Sequence, residues 1–170
     1  MTAVPELRIR EANFRRIRSD GRWVLYWMTA NRRMGWNLAL DRAVDWAREL
    51  GRPVVVLEHL PCGNRWDTDR SHGFVLQGMA EHAAAAAGVP VTYYPYVESR
   101  AKEGASLVLS LAAEACVVVA DERPQAEHCA MVDRVAAGSS VLVEAVDSNG
   151  PLPLAATDRA HTTAPGFRPM

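Results

Sequence analysis

Five apolar runs punctuate the chain: Trp23–Met28 and residues 53–57, 89–94, 116–120 and 141–146. Each is about as long as a buried strand, and each is continuously apolar rather than alternating, the pattern of strands covered on both faces. Between the first two, Trp36, Leu40, Ala43, Val44, Ala47 and Leu50 recur at helical spacing, with Gly51 and Pro53 as a stop signal. Val75, Met79, Ala83 and Ala86 form a second helical stripe, and Leu107, Val108, Leu111, Ala112 and Ala115 a third. Ala126, Cys129, Val132 and Val135 form a fourth before Gly138. Strand and helix alternate, so right-handed crossovers place helices on both faces of one sheet. The expectation is a three-layer α/β sandwich around a five-stranded, mainly parallel sheet spanning residues 21–150. The alanines of residues 83–87 read as a close-packed helix surface. Residues 1–20 read as an extended or briefly helical arm, and residues 151–170, rich in Pro and Gly, as a tail.

Composition narrows the function classes. The 170 residues suit one ordinary domain, and 49% hydrophobic with 23% charged residues is a globular balance. A formal net charge of −1 gives no global field toward nucleic acid or an anionic membrane, so neither is expected as a direct partner. Arg8, Arg10, Arg15, Arg16 and Arg18 form a basic cluster that reads as a solvated arm. No stretch of about eighteen apolar residues spans a bilayer. Three scattered cysteines, Cys62, Cys116 and Cys129, supply no disulfide framework, and a reducing cytoplasm is the expected compartment.

In such sheets a ligand sits beyond the carboxyl ends of the strands, where the strand order reverses. Polar residues crowd those ends. The first strand runs into Met28, Thr29, Asn31, Arg32 and Arg33, the second into Glu58, His59 and Cys62, and the third into Tyr96 and Glu98. The fourth reaches Asp121, Glu122 and Arg123, and the fifth Asp147, Ser148 and Asn149. Small-molecule contacts are expected from Met28, Thr29, Arg32, Arg33, Asn37, Trp66 and Asp147. If chemistry occurs, Glu58, His59, Asp121, Glu122 and His128 carry the acid, base or metal-ligating groups it needs. The turn after the first strand has no glycine cluster of the dinucleotide or P-loop type. Pairing His59 and Cys62 with His128 and Cys129 around zinc is conceivable by spacing alone, and no metal is expected. Of the five tryptophans, Trp23, Trp27, Trp36 and Trp46 read as packing residues. Trp66, among Asn64, Arg65, Asp67 and Asp69, suits a lid or a stacking contact.

Val24, Leu25, Tyr26, Trp27 and Met28, followed by Asn37, Ala39 and Leu40 and then by Gly51, Arg52, Pro53 and Val54, resemble the opening of DNA photolyases of the class II type. The resemblance continues through Phe74, Leu76 and Gly78, through Val117, Val118, Val119, Ala120 and Asp121, and into Asp147, Ser148, Asn149, Leu152, Pro153 and Leu154. It implies the Rossmann-like N-terminal antenna domain of that family, which in some members holds a deazaflavin or folate chromophore. The helical domain that binds FAD and DNA lies beyond the resemblance, so FAD and photolyase activity are not expected of this segment. Three functions follow as alternatives. The first is a module binding a flavin-, pterin- or nucleotide-like molecule, docked on a separately encoded helical partner. The second is a metabolic enzyme reusing the pocket without flavin, and the third a homodimerising or partner-docking unit.

Overall fold

The computed structural model describes residues 4–65, 67–101 and 103–157. One six-stranded sheet organises them: β1 (Ile9–Glu11), β2 (Trp23–Met28), β3 (Val54–Leu60), β4 (Val91–Val97), β5 (Ala115–Glu122) and β6 (Val143–Asp147). The order across the sheet is β1-β6-β5-β2-β3-β4. β2 to β6 pair in parallel, while β1 adds to β6 in antiparallel fashion, with Ile9 opposite Val146. The five expected strands are therefore present within a three-layer α/β fold, and a sixth comes from the segment expected to be an arm. Its Ile-Arg-Glu sequence carries no apolar run, and it is held by pairing instead. Arg8, buried at 8% exposure, donates to the carbonyls of Asp147, Gly150 and Pro151, joining this segment to the end of β6. A short 3-10 turn at Leu154–Ala156 follows, and residues 158–170 of the expected tail lie outside the described residues.

Side-chain alternation in β2 assigns the two faces. Val24, Tyr26 and Met28 pack with Ala39, Leu40 and Ala43 of α1 (Leu38–Leu50). Leu25 and Trp27 pack with Val108 and Ala112 of α3 (Glu103–Glu114) and with Val132 and Val135 of α4 (Ala126–Gly138). α2 (Asp69–Ala86) lies against β4 and β3. α1 begins on an Asn37 cap whose side chain accepts from the amides of Ala39 and Leu40, and it ends at Gly51 with φ +63°. α2 begins with a capping box between Thr68 and Ser71. Three expectations are corrected. Trp36, expected to pack in the first helical stripe, precedes α1 and is 93% exposed. Ala83, Ala84, Ala85 and Ala87 are exposed, so the alanine run contributes helix propensity rather than close packing. β4, though apolar, is an edge strand: Tyr94 and Val97 are exposed, and Pro95 fits there because an edge tolerates a missing N–H.

β2 and β5 are neighbours in the sheet although two strands separate them in the chain, so the strand order reverses between them. Their approach begins at Gly21, where an added Cβ would run into the backbone of Ala115 and Cys116. Gly21→Ala should lower stability by about 2 kcal/mol through overpacking against backbone that cannot move aside. Urea denaturation measures this, and an unchanged midpoint would mean that the start of β2 is not so constrained.

Candidate functional site

At the point of reversal, the turn after β2 directs the amides of Thr29, Ala30 and Asn31 to one place, the arrangement that elsewhere receives an anion. Here the anion is internal. Oδ2 of Asp121, from the end of β5, accepts all three at 2.7 to 2.9 Å, and its Oδ1 accepts from the Tyr26 hydroxyl at 2.8 Å. Burial and the Asp121 charge push the Tyr26 phenol well up, so it stays a donor. Asn37 completes the lock, donating to the Tyr26 hydroxyl and to the carbonyls of Asn31 and Arg33. Beside it, Thr29 Oγ1 lies 2.9 Å from His128 Nε2, while His128 Nδ1 is buried without a partner among the described residues. Burial pulls the His128 imidazole down, against the raising influence of Asp121 and Glu122.

A second lock holds the neighbouring turn. Glu58 is fully buried; its Oε1 accepts from Arg32, and its Oε2 from His82 at 2.7 Å and Tyr93 at 2.6 Å. Arg32 also donates to the His59 carbonyl. Burial first, and then the bond to Glu58, push the Tyr93 phenol up. Several expected site residues thus have structural engagements. Met28 is buried in the core under α1, and Asn37 is a helix cap. Asp147 accepts from Asn149 and from the Leu154 amide and pairs with Arg8. Glu122 pairs with Arg10. Arg33 is exposed, and Trp66 lies outside the described residues. Asp121 and Glu58, two of the residues expected at this rim, carry structural hydrogen bonds here.

Among the described residues, one open volume lies on the α3 and α4 face. A cavity of about 430 Å³ has Trp27 and Val135 at its buried end and Leu109 and Met131 on its walls. The exposed Ala105 and Arg134 and the loop from Pro61 to Asn64 form its rim. Of the expected site residues that are described, His59 alone lines it. Its Nε2 lies 3.1 Å from Glu98 Oε1, which also accepts from the Gly104 amide at 2.7 Å, and Glu98 Oε2 accepts from the Cys62 amide. Glu98 therefore ties the loop after β3 to the first turn of α3. Gly104 is required at this contact, since a Cβ there would collide with the His59 ring and press on Glu98. Burial lowers the His59 imidazole, Glu98 opposing it, so the ring is neutral near neutral pH. Burial pushes the Glu98 carboxyl up, but the amides of Cys62 and Gly104 and the His59 ring outweigh it and hold it below its ordinary value.

Trp27 was read as a packing residue, yet its indole Nε1 is buried with no acceptor among the described residues, and the side chain is 1% exposed. A buried N–H normally finds a partner, so this one is an exception in the packing beside the cavity. Arg134 was also missed. It follows from α4 geometry only once Met131 and Val135 are known to face the same space. Among the described residues no group of three or more His, Cys, Asp or Glu is placed to hold a metal ion.

His59 and His128 both sit below the ordinary histidine value, so the unfolded chain takes up protons first as pH falls. Stability therefore rises with pH across that window, and it is lost as pH falls through the folded-state values. Glu98 acts in the same direction at lower pH, since its stabilisation is present above the unfolded carboxylate value and disappears through its depressed folded value. The urea midpoint should fall between about pH 7.5 and about pH 5, and His128→Gln should flatten that slope by removing one proton uptake. A midpoint that is level or rises on acidification would contradict the assigned neutrality of these rings.

No protein-family model matches the chain. A deoxyribodipyrimidine photo-lyase from Methanothermobacter thermautotrophicus is 27% identical over 165 residues, covering 95% of this chain and 36% of that protein. The chain thus spans about a third of the length of the curated relative it matches. Among solved structures, a universal stress protein from Archaeoglobus fulgidus aligns with TM-score 0.50 at 17% identity, covering 73% of this chain and 98% of that one. A structure of the universal stress protein from the same organism, in complex with dAMP, aligns with TM-score 0.49 at 17% identity, covering 73% of this chain and 97% of that one. The alignment at TM-score 0.50 supports a Rossmann-like α/β fold, and the 27% match is a weak sequence similarity to part of a photolyase.

Proposed function

We propose that this chain is a photolyase-like α/β module that binds a small molecule in the cavity between α3, α4 and the carboxyl ends of β2 and β3. The observation that carries the reading is the space of about 430 Å³ itself, with buried Trp27 and Val135 at one end and the His59–Glu98 pair in its lining, a volume in the range of small-molecule sites. The resemblance to photolyases favours a flat chromophore of the deazaflavin, pterin or flavin kind, held without FAD-dependent repair. The Asp121 lock disfavours a nucleotide whose phosphates enter at the turn after β2, because its amides are already bonded.

A second reading, an enzyme using the same cavity, is favoured by the His59–Glu98 pair. Glu98 orients the imidazole through Nε2, which leaves Nδ1 as the nitrogen to act as a base toward a bound molecule. A docked helical partner or a second copy would be an addition to either reading.

Native mass spectrometry of freshly purified protein, beside its absorption spectrum, tests the first reading. One small molecule per chain is expected, lost in Ala105→Trp, which places an indole at the rim of the cavity without disturbing its buried end. Absence of any bound species, together with no thermal stabilisation by flavins, deazaflavins, pterins or nucleotides that differs between the wild type and Ala105→Trp, would overturn it.

A further inference from the structure

Nδ1 of His59 is a polar atom of the cavity lining whose hydrogen-bonding role is fixed by its surroundings. Glu98 accepts from the Cys62 and Gly104 amides and is held below its ordinary carboxyl value, so it faces His59 as a carboxylate. A carboxylate can only accept, hence the imidazole proton sits on Nε2, 3.1 Å from Glu98 Oε1. The neutral ring then has a bare Nδ1, an acceptor. Nδ1 has no hydrogen-bond partner among the described residues and, in contrast to Trp27 Nε1, it is not sealed off from the open space. The other polar lining groups offer less. Asn64 and Arg134 are exposed at the rim, and Cys62 keeps its proton, because burial and then the charges of Glu98, Asp67 and Glu103 push the thiol up. The walls, Leu109, Met131 and Val135, are apolar.

We infer that the cavity takes a molecule with a mainly apolar body and an N–H or O–H group at one edge, donating to His59 Nδ1. This rests on the reading of the cavity as a ligand site. Donation from Nε2 to an anion makes the opposite ring nitrogen a better acceptor, so Glu98 strengthens the contact while holding the ring in place. A ligand that offers only an acceptor there sets lone pair against lone pair and leaves Nδ1 desolvated and unmet, so the donor is selected by penalty as much as by attraction. A carboxylate at that edge meets the same opposition, and the Glu98 charge adds to it. Aromatic lactams and phenols satisfy these conditions; ketones, ethers and nitriles do not.

Two neutral probes with the same flat body separate donor from acceptor: 2-naphthol, which donates, and 2-naphthonitrile, which only accepts. By titration calorimetry 2-naphthol should bind about fivefold tighter. His59→Phe keeps a ring at the site and removes the acceptor, so the preference should disappear. A second measurement needs no substitution. In protein carrying 15N-labelled histidine, the His59 ring should show a protonated Nε2 and a bare Nδ1, and the Nδ1 resonance should move on adding 2-naphthol and much less on adding 2-naphthonitrile. If both probes bind the wild type equally and Ala105→Trp weakens both, the inference is overturned and the cavity still stands as a binding site. A preference that persists in His59→Phe, a proton on Nδ1 in the free protein, or an Nδ1 resonance unmoved by bound 2-naphthol overturns it as well. Binding that Ala105→Trp does not weaken, or no binding by either probe, rejects the inference and counts against the cavity itself.

Discussion

The Asp121 carboxylate is the constraint around which the rest is arranged. Three converging amides and a buried phenol would each be expensive to leave unmet, and one side chain at the end of β5 answers all of them. By doing so it welds the end of β5 to the turn after β2 across the reversal in strand order, where a doubly wound sheet otherwise opens. The turn then delivers Asn37 to cap α1 and Arg32 to neutralise Glu58, so the Asp121 and Glu58 locks share one loop. The cavity among the described residues lies to one side of this edge, toward β3 and the α3 and α4 layer.

That position explains the character of the cavity. It is bounded by helices and by a loop rather than by a phosphate-binding turn, so its interior is apolar and its polar groups are few. Glu98 does at the loop after β3 what Asp121 does at the loop after β2. Each is a carboxylate anchored by backbone amides, but Glu98 leaves an imidazole facing open volume. The arrangement favours recognition by shape and by single hydrogen bonds over recognition of a phosphate chain.

Much of the fold was legible because parallel strands covered on both faces must be apolar throughout, and β2, β5 and β6 are close to the runs that mark them. β3 runs on to Leu60 through Glu58 and His59, polar residues that an apolar run cannot register but that are buried and satisfied in place. β1 escaped notice because three residues at an edge leave no periodicity. The polar residues at the strand ends were legible as a group, whereas their roles were not. Whether Asp121 faces a ligand or a ring of backbone amides depends on the path of the turn after β2, 90 to 92 residues away in sequence.

β4 ends the sheet with one side uncovered, and its Thr-Tyr-Tyr-Pro-Tyr-Val sequence has the aromatic and β-branched content that favours recruiting a further strand. Pro95 sits in the middle of that ribbon, and a proline ring supplies no amide hydrogen. Any chain adding itself there would meet an interrupted ladder, so the same residue that marks the border also guards it against uncontrolled self-association.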